Sequence, residues 1–188
     1  MIHQRYTIKE EVQRDDTHTL YKAYDEIFKR TVMLFECTDT FHFSQNVKRI
    51  FDEDNIFYYY TAFIEDQKAY YVIGNFEHLQ CVKTHKFDDR FVLMLYDAYI
   101  MLITKYNHKG IYFKSVPMEW LFSDENSRVS LMLPGANLNN ERREESFGPF
   151  FLELYAILSK QKYISNEGLD YIKDHYNEQV FDLFMRHL

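Results

Sequence analysis

Apolar and polar positions change their period along the chain, and that change divides it. Over residues 6–37 the β-formers Ile8, Val12, Leu20, Tyr21, Val32 and Leu34 are separated by the polar turns Asp15-Asp16-Thr17 and Asp25-Glu26, a pattern that predicts three strands. Between Phe41 and Phe51 the period becomes helical, with Phe43, Val47, Ile50 and Phe51 on one face. Two aromatic-rich runs, Ile56 to Phe63 and Ala69 to Phe76, are joined by Ile64-Glu65-Asp66-Gln67-Lys68 and predict a hairpin. Asp88 or Asp89 caps a predicted helix to about Asn107, with Phe91, Leu95, Ala98, Leu102 and Tyr106 on one stripe and Val92, Met94, Tyr99 and Ile103 beside it. A helix apolar over so much of its circumference is expected to be buried, and Asn107-His108-Lys109-Gly110 stops it.

A second predicted hairpin joins Trp120-Leu121-Phe122 to the alternating run Arg128 to Leu133 through the turn residues Ser123 to Ser127. Ser146-Phe147-Gly148-Pro149 then opens a helix to about Lys160, since serine caps and proline is tolerated in a first turn. One last helix, from about Glu167 to His187, carries Leu169, Ile172, Tyr176, Val180 and Phe184. Strands first and helices afterwards make the expected fold class α+β.

Composition narrows the function classes. The 188 residues suit one domain or two small lobes, and 46% hydrophobic with 27% charged residues is the balance of a soluble globular chain. Seventeen Phe, sixteen Tyr and one Trp supply core and contact surface. A net charge of −7 without a Lys/Arg cluster argues against nucleic acid, whose phosphates need a basic face. Cys37 and Cys81 lack CxxC spacing and read as reduced, buried thiols. The polar start MIHQRYTIKEE is not a signal peptide, and the longest apolar run, Phe91 to Ile103, is interrupted by Asp97 and too short to span a bilayer. The expected location is the cytoplasm. Eight histidines without HxxxH or HExxH spacing predict no metal site. Tyr58-Tyr59-Tyr60 reads as strand packing rather than a stacking platform for bases, because its neighbours are not basic.

Several stretches together resemble a protein kinase domain of the bacterial Ser/Thr type. Tyr6 to Asp25 is similar to the first strand, glycine-rich loop and second strand, and Arg30 to Glu36 to the third strand. Asn55-Ile56, Glu65-Asp66 and Ala69 to Phe76 resemble the fourth strand, its turn and the fifth strand leading to the hinge, with Gly74-Asn75 at the approach to the crossing. Gly110-Ile111 resembles the start of the catalytic loop, Leu131 to Gly135 occupies the place of the DFG tripeptide, and Ser146-Phe147-Gly148 is similar to the start of the large lobe's central helix. The resemblance implies a two-lobe fold: a β-rich N-lobe with one helix over residues 1–76, and a shortened α-helical C-lobe over 77–188. Ala136 to Arg143 leaves hardly any room for an activation segment.

Set against the family's roles, the chemistry is missing. Phosphoryl transfer works by positioning and charge neutralisation, so loss of the charged groups removes the mechanism. The three loop glycines are matched by Gln13, Asp15 and His18, the phosphate-binding lysine by Phe35, and the catalytic aspartate by Ser115. The metal-binding asparagine and aspartate are matched by Trp120 and Leu133, neither of which ligates a cation. No glutamate lies between Glu36 and Glu53 to serve the small-lobe helix. Asp15 and Asp16 beside a triphosphate would each cost about 4 kcal/mol at ~4 Å and an effective dielectric of about 20. Together they offset most of a micromolar affinity of about 8 kcal/mol.

The expectation is therefore a pseudokinase: no catalytic residue, no cofactor, no metal, no nucleotide, and a protein partner bound as scaffold or regulator in a bacterial cytoplasmic assembly. Candidate partner-binding residues are Trp120, Phe147 and Phe150, with the Phe41 to Phe51 helix and the Phe147 to Tyr163 region as surfaces. Phe35 and Leu133 also read as plain core residues, and Trp120 as buried between the lobes. The alternatives are an atypical nucleotide-binding kinase rebuilt from Lys22, Lys114, Asp124 or Glu119, or a cytoplasmic subunit of a secretion or defence system. Ser115 beside Lys114 lacks the His/Asp partners of a nucleophile.

Overall fold

The computed structural model describes residues 1–41, 43–44, 47, 57–76, 78–124, 128–132, 134, 137–139 and 147–187. The chain is mixed α+β, and its contacts divide it into two compact units. One comprises Met1–His78 with Met132–Gly135, the other Leu79–Leu131 with Ala136–Leu188.

The first unit is a five-stranded antiparallel sheet of β1 (Tyr6–Arg14), β2 (His18–Asp25), β3 (Arg30–Cys37), β4 (Tyr59–Glu65) and β5 (Lys68–Gly74), in the order β1-β2-β3-β5-β4. The three strands and two turns expected over residues 6–37 are all present. The next hairpin is tighter than its composition implied: only Asp66 and Gln67 turn the chain, both at positive φ, as a two-residue hairpin turn demands. Both edge strands carry a break in register, a feature that discourages pairing with another chain. Phe43, Ser44 and Val47 are helical, and Ile50 and Phe51 lie outside the described residues.

Alternation along β3 and β5 assigns two buried faces. Val32, Leu34, Tyr70 and Val72 join Tyr6 and Ala23 in one cluster, flanked by Ile2, Ile8, Tyr21, Tyr60 and Phe63. The N-terminus folds back over that face, with Ile2 bridging to Tyr6 and His3 stacked on Phe63 at 4.5 Å. Phe35 and Tyr71, partners in the β3–β5 register, belong to the opposite face.

In the second unit, Asp88 caps α1 (Asp89–His108) by accepting from the Phe91 NH, as the sequence pattern predicts. Burial centres on Val92, Leu95, Tyr99, Leu102, Ile103 and Tyr106, between the two apolar stripes rather than on either one. Short strands surround it. β6 (Gln80–Cys81), β8 (Leu121–Ser123) and β9 (Val129–Leu131) form one sheet, and β7 (Tyr112–Ser115) pairs with β10 (Asn137–Asn139). The predicted hairpin is β8–β9, with Leu121 opposite Leu131, although its second strand is shorter than the alternation from Arg128 to Leu133. β10 was not legible in Ala136-Asn137-Leu138-Asn139.

Three helices complete the unit: α2 (Phe147–Ser159), α3 (Asn166–His175) and α4 (Glu178–Met185). Ser146, the expected cap of α2, lies outside the described residues. The single terminal helix expected from Glu167 to His187 is corrected to two. Tyr176 is extended, and the Asn177 side chain accepts from the Val180 NH to start a new helix. The apolar stripe survives the break, since Ile172, Val180 and Phe184 are all buried.

Candidate functional site

The β1–β2 turn, which the resemblance matches to a phosphate-binding loop, has its Asp15, Thr17 and His18 amides bonded within the turn. Asp15 accepts from the NH groups of Thr17 and His18, each at 2.7 Å, and its second oxygen lies 3.0 Å from His18 Nδ1. The Asp15 NH donates to the His18 carbonyl at 2.9 Å, which closes the turn. Amides that a glycine-rich loop would aim at a phosphate point instead at a carboxylate of the same turn. Gln13 is half-buried on β1, opposite Leu20.

The position that the resemblance matches to the phosphate-binding lysine is aromatic and dry. Phe35 is 0% exposed, His18 lies 5.3 Å from its ring, and Tyr71 meets its edge at 6.2 Å. Phe43 continues the row at 5.7 Å from Tyr71. A cation placed at residue 35 would lose its hydration among these rings. The charge on β3 lies one residue on: Glu36 accepts from Lys68 Nζ at 2.8 Å and from the Tyr70 hydroxyl at 3.0 Å. Burial first, and the Glu36 carboxylate second, push the Tyr70 phenol up, so it stays a neutral donor.

In the second unit the matched positions are equally apolar where they are described. Trp120 ends the 3-10 turn Met118–Trp120 and is 0% exposed. That turn is anchored on both sides. The Met118 NH donates to Glu153 Oε2 at 3.1 Å, and Lys83 bridges Glu119 and Glu153, the latter at 2.7 Å. Burial opposes the Lys83 charge, but its hydrogen bonds to both carboxylates outweigh it and hold the ammonium above the usual lysine range. Cys81 Sγ lies 3.5 Å from the Glu119 carbonyl as donor, and burial pushes its thiol up. Ser115 ends β7, its side chain outside the described residues, as is Leu133.

Two candidate partner-binding residues are corrected by burial. Trp120 is enclosed, and Phe150 is 0% exposed because its ring stacks on Tyr99 at 3.7 Å, so neither presents a surface to a partner. The Phe147 side chain lies outside the described residues. Of the residues suggested for a relocated kinase site, Glu119 is held by Lys83, and Asp124 is buried and accepts from the Arg128 NH and Nε at 2.9 and 2.7 Å. Lys114 is exposed.

Sequence reasoning missed the Lys83–Glu119–Glu153 bridge and the Asp25–Arg5 pair. Each joins residues far apart in the chain, and no local pattern marks them. Among the described residues no group of three or more His, Cys, Asp or Glu is placed to hold a metal ion, and no helix is long and apolar enough to cross a membrane. No family model matches the chain, and no curated protein is significantly similar to it.

Proposed function

We propose that the chain is a degenerate protein kinase-like module, a pseudokinase, that acts by binding another protein and catalyses no phosphoryl transfer. The observation that carries this reading is the Phe35 site. A turn whose Thr17 and His18 amides are satisfied by Asp15, and a buried row of His18, Phe35 and Tyr71 continued by a half-buried Phe43, stand where the resemblance expects phosphate-binding groups. The order of elements supports it: a three-strand meander, helical residues, and a hairpin that returns beside β3, followed by a long helix, a short hairpin and further helices. The kinase-like pairing of a β-rich lobe with a shortened helical lobe, and a place in a bacterial cytoplasmic assembly, belong to the same proposal.

Titration calorimetry with Mg-ATP is expected to show no heat of binding at micromolar protein. Micromolar binding abolished by Lys114→Ala would overturn the reading in favour of a relocated kinase site. Affinity capture from the native host is expected to recover a defined protein partner, and recovery of none would count against an interaction role.

A further inference from the structure

One end of the first unit's sheet carries an exposed ladder of rings and guanidinium groups. The tip of the β2–β3 turn is Ile27-Phe28, 65% and 62% exposed, where turns ordinarily carry Gly, Asn, Asp or Ser. The Phe28 ring lies between two arginines, with Arg5 at 4.8 Å and Arg30 at 5.1 Å from its centroid. Arg30 also stacks on Tyr60 at 3.5 Å, and Tyr60 meets Tyr58 edge-on at 5.0 Å, with Tyr58 70% exposed. Gly74 makes room for this end of the ladder: a Cβ there would come within 3.4 Å of the Tyr60 hydroxyl.

The tip is held rigid from beneath. Asp25, fully buried, accepts from Arg5 Nε and Nη2 at 2.8 and 2.7 Å and from the NH groups of Ile27 and Phe28 at 3.1 and 3.2 Å. Three of these donors fall on Oδ1 and one, Arg5 Nη2, on Oδ2, so Arg5 and Arg30 share a single carboxylate. Arg30 Nε lies 4.0 Å from Asp25 and has no hydrogen-bond partner among the described residues, while its side chain is 37% exposed. Lys29 is paired with Glu26. Among the described charges of the tip, Arg5, Lys29 and Arg30 stand against Asp25 and Glu26, which leaves one positive charge over, with Arg30 amid three exposed apolar side chains.

Resting on the reading of the chain as a protein-binding module, we infer that this ladder is its docking surface for a peptide segment with an acidic side chain next to an aliphatic or aromatic one. The carboxylate would pair with Arg30 and the apolar side chain would cover Phe28 and Tyr58. Rigid aromatic and arginine side chains of this kind dominate protein-binding energetics. Single-stranded nucleic acid also stacks on such rings, but one net cation on a chain of charge −7 does not offset its phosphates.

The test selects displayed random peptides on the intact chain and titrates the enriched peptide in labelled form. Enriched peptides are expected to pair Asp or Glu with an apolar neighbour. Arg30→Gln and Tyr58→Ser should each weaken binding by about tenfold or more, while Met101→Ser, at an exposed residue of the second unit, leaves it unchanged. If Arg30→Gln melts early by circular dichroism, Tyr58→Ser and Ile27→Ser carry the comparison, since both side chains are exposed. Failure to enrich any peptide, or binding that survives the substitutions, overturns the inference. So does a labelled oligouridylate that binds through Arg30, or a self-association in sedimentation that Tyr58→Ser abolishes. A partner captured equally by wild type and Tyr58→Ser would sink this surface while leaving the proposed function standing. Mg-ATP binding would sink the proposed function without altering the peptide titration.

Discussion

Single residues show where this chain buries charge and where it keeps its interior apolar. Phe35→Lys, which installs the residue that the kinase resemblance expects, should lower stability by about 3–5 kcal/mol rather than confer ATP binding. The new ammonium would sit beneath His18 and against Tyr71, in a site that is 0% exposed. Thermal melting together with Mg-ATP calorimetry on the variant checks both halves. Asp25 gives the opposite case, a buried charge that is fully matched. Hydrogen bonds from Arg5, then the Phe28 and Ile27 amides, outweigh burial and hold its carboxyl at about 2, below the ordinary 3.8. A depressed folded-state value means the pair contributes fully above about pH 4 and its contribution disappears as pH falls toward 2. Asp25→Asn should therefore cost about 3 kcal/mol at neutral pH and flatten the acid limb of the stability curve between pH 4 and 2. Chemical denaturation across that range reads the difference directly. A mutant with an unchanged acid limb would contradict it.

At the level of elements, close approach decides what the helices tolerate. Gly168 lies in the first turn of α3, where alanine would ordinarily favour the helix by about 1 kcal/mol. Here a Cβ would stand 2.0 Å from the Tyr155 hydroxyl of α2, which itself accepts from the Ser165 NH at 3.1 Å. Overpacking wins, and Gly168→Ala should destabilise by about 1–3 kcal/mol. Tyr155→Phe removes the obstructing oxygen, so the double variant should recover part of the loss, a coupling that a double-mutant cycle of unfolding free energies measures. The break between α3 and α4 has the same local character. Asn177 caps α4 and its own NH donates to Asp89 at 2.9 Å, which ties the start of α4 to the first turn of α1. Asn177→Ala should cost about 1 kcal/mol by loss of the cap alone. A Tm unmoved by that change would show that the helix start is set by packing of Val180 and Phe184 instead.

For the whole molecule the prediction is a null that carries information. A nucleotide present at about 100 times its Kd would add about 2.7 kcal/mol to folding stability, a shift of several degrees in Tm. Millimolar Mg-ATP is expected to leave Tm where it is. The sequence by itself determined the strands of the first sheet, the position and cap of α1, the β8–β9 hairpin and the α+β class. All are set by local period, turn residues and caps, which act within a few residues. It also placed Phe35 on a strand, but not beneath His18, because that contact joins two strands and depends on register. Tertiary structure alone decided between the buried and the presented reading of Trp120, enclosed Phe150, set Lys83 between two glutamates, and made Asp25 and Arg5 the support of an exposed Ile27-Phe28 tip. Burial and ion pairing between distant residues are properties of the packed chain, and hydrophobic period reports only which residues seek cover, not which of them find it.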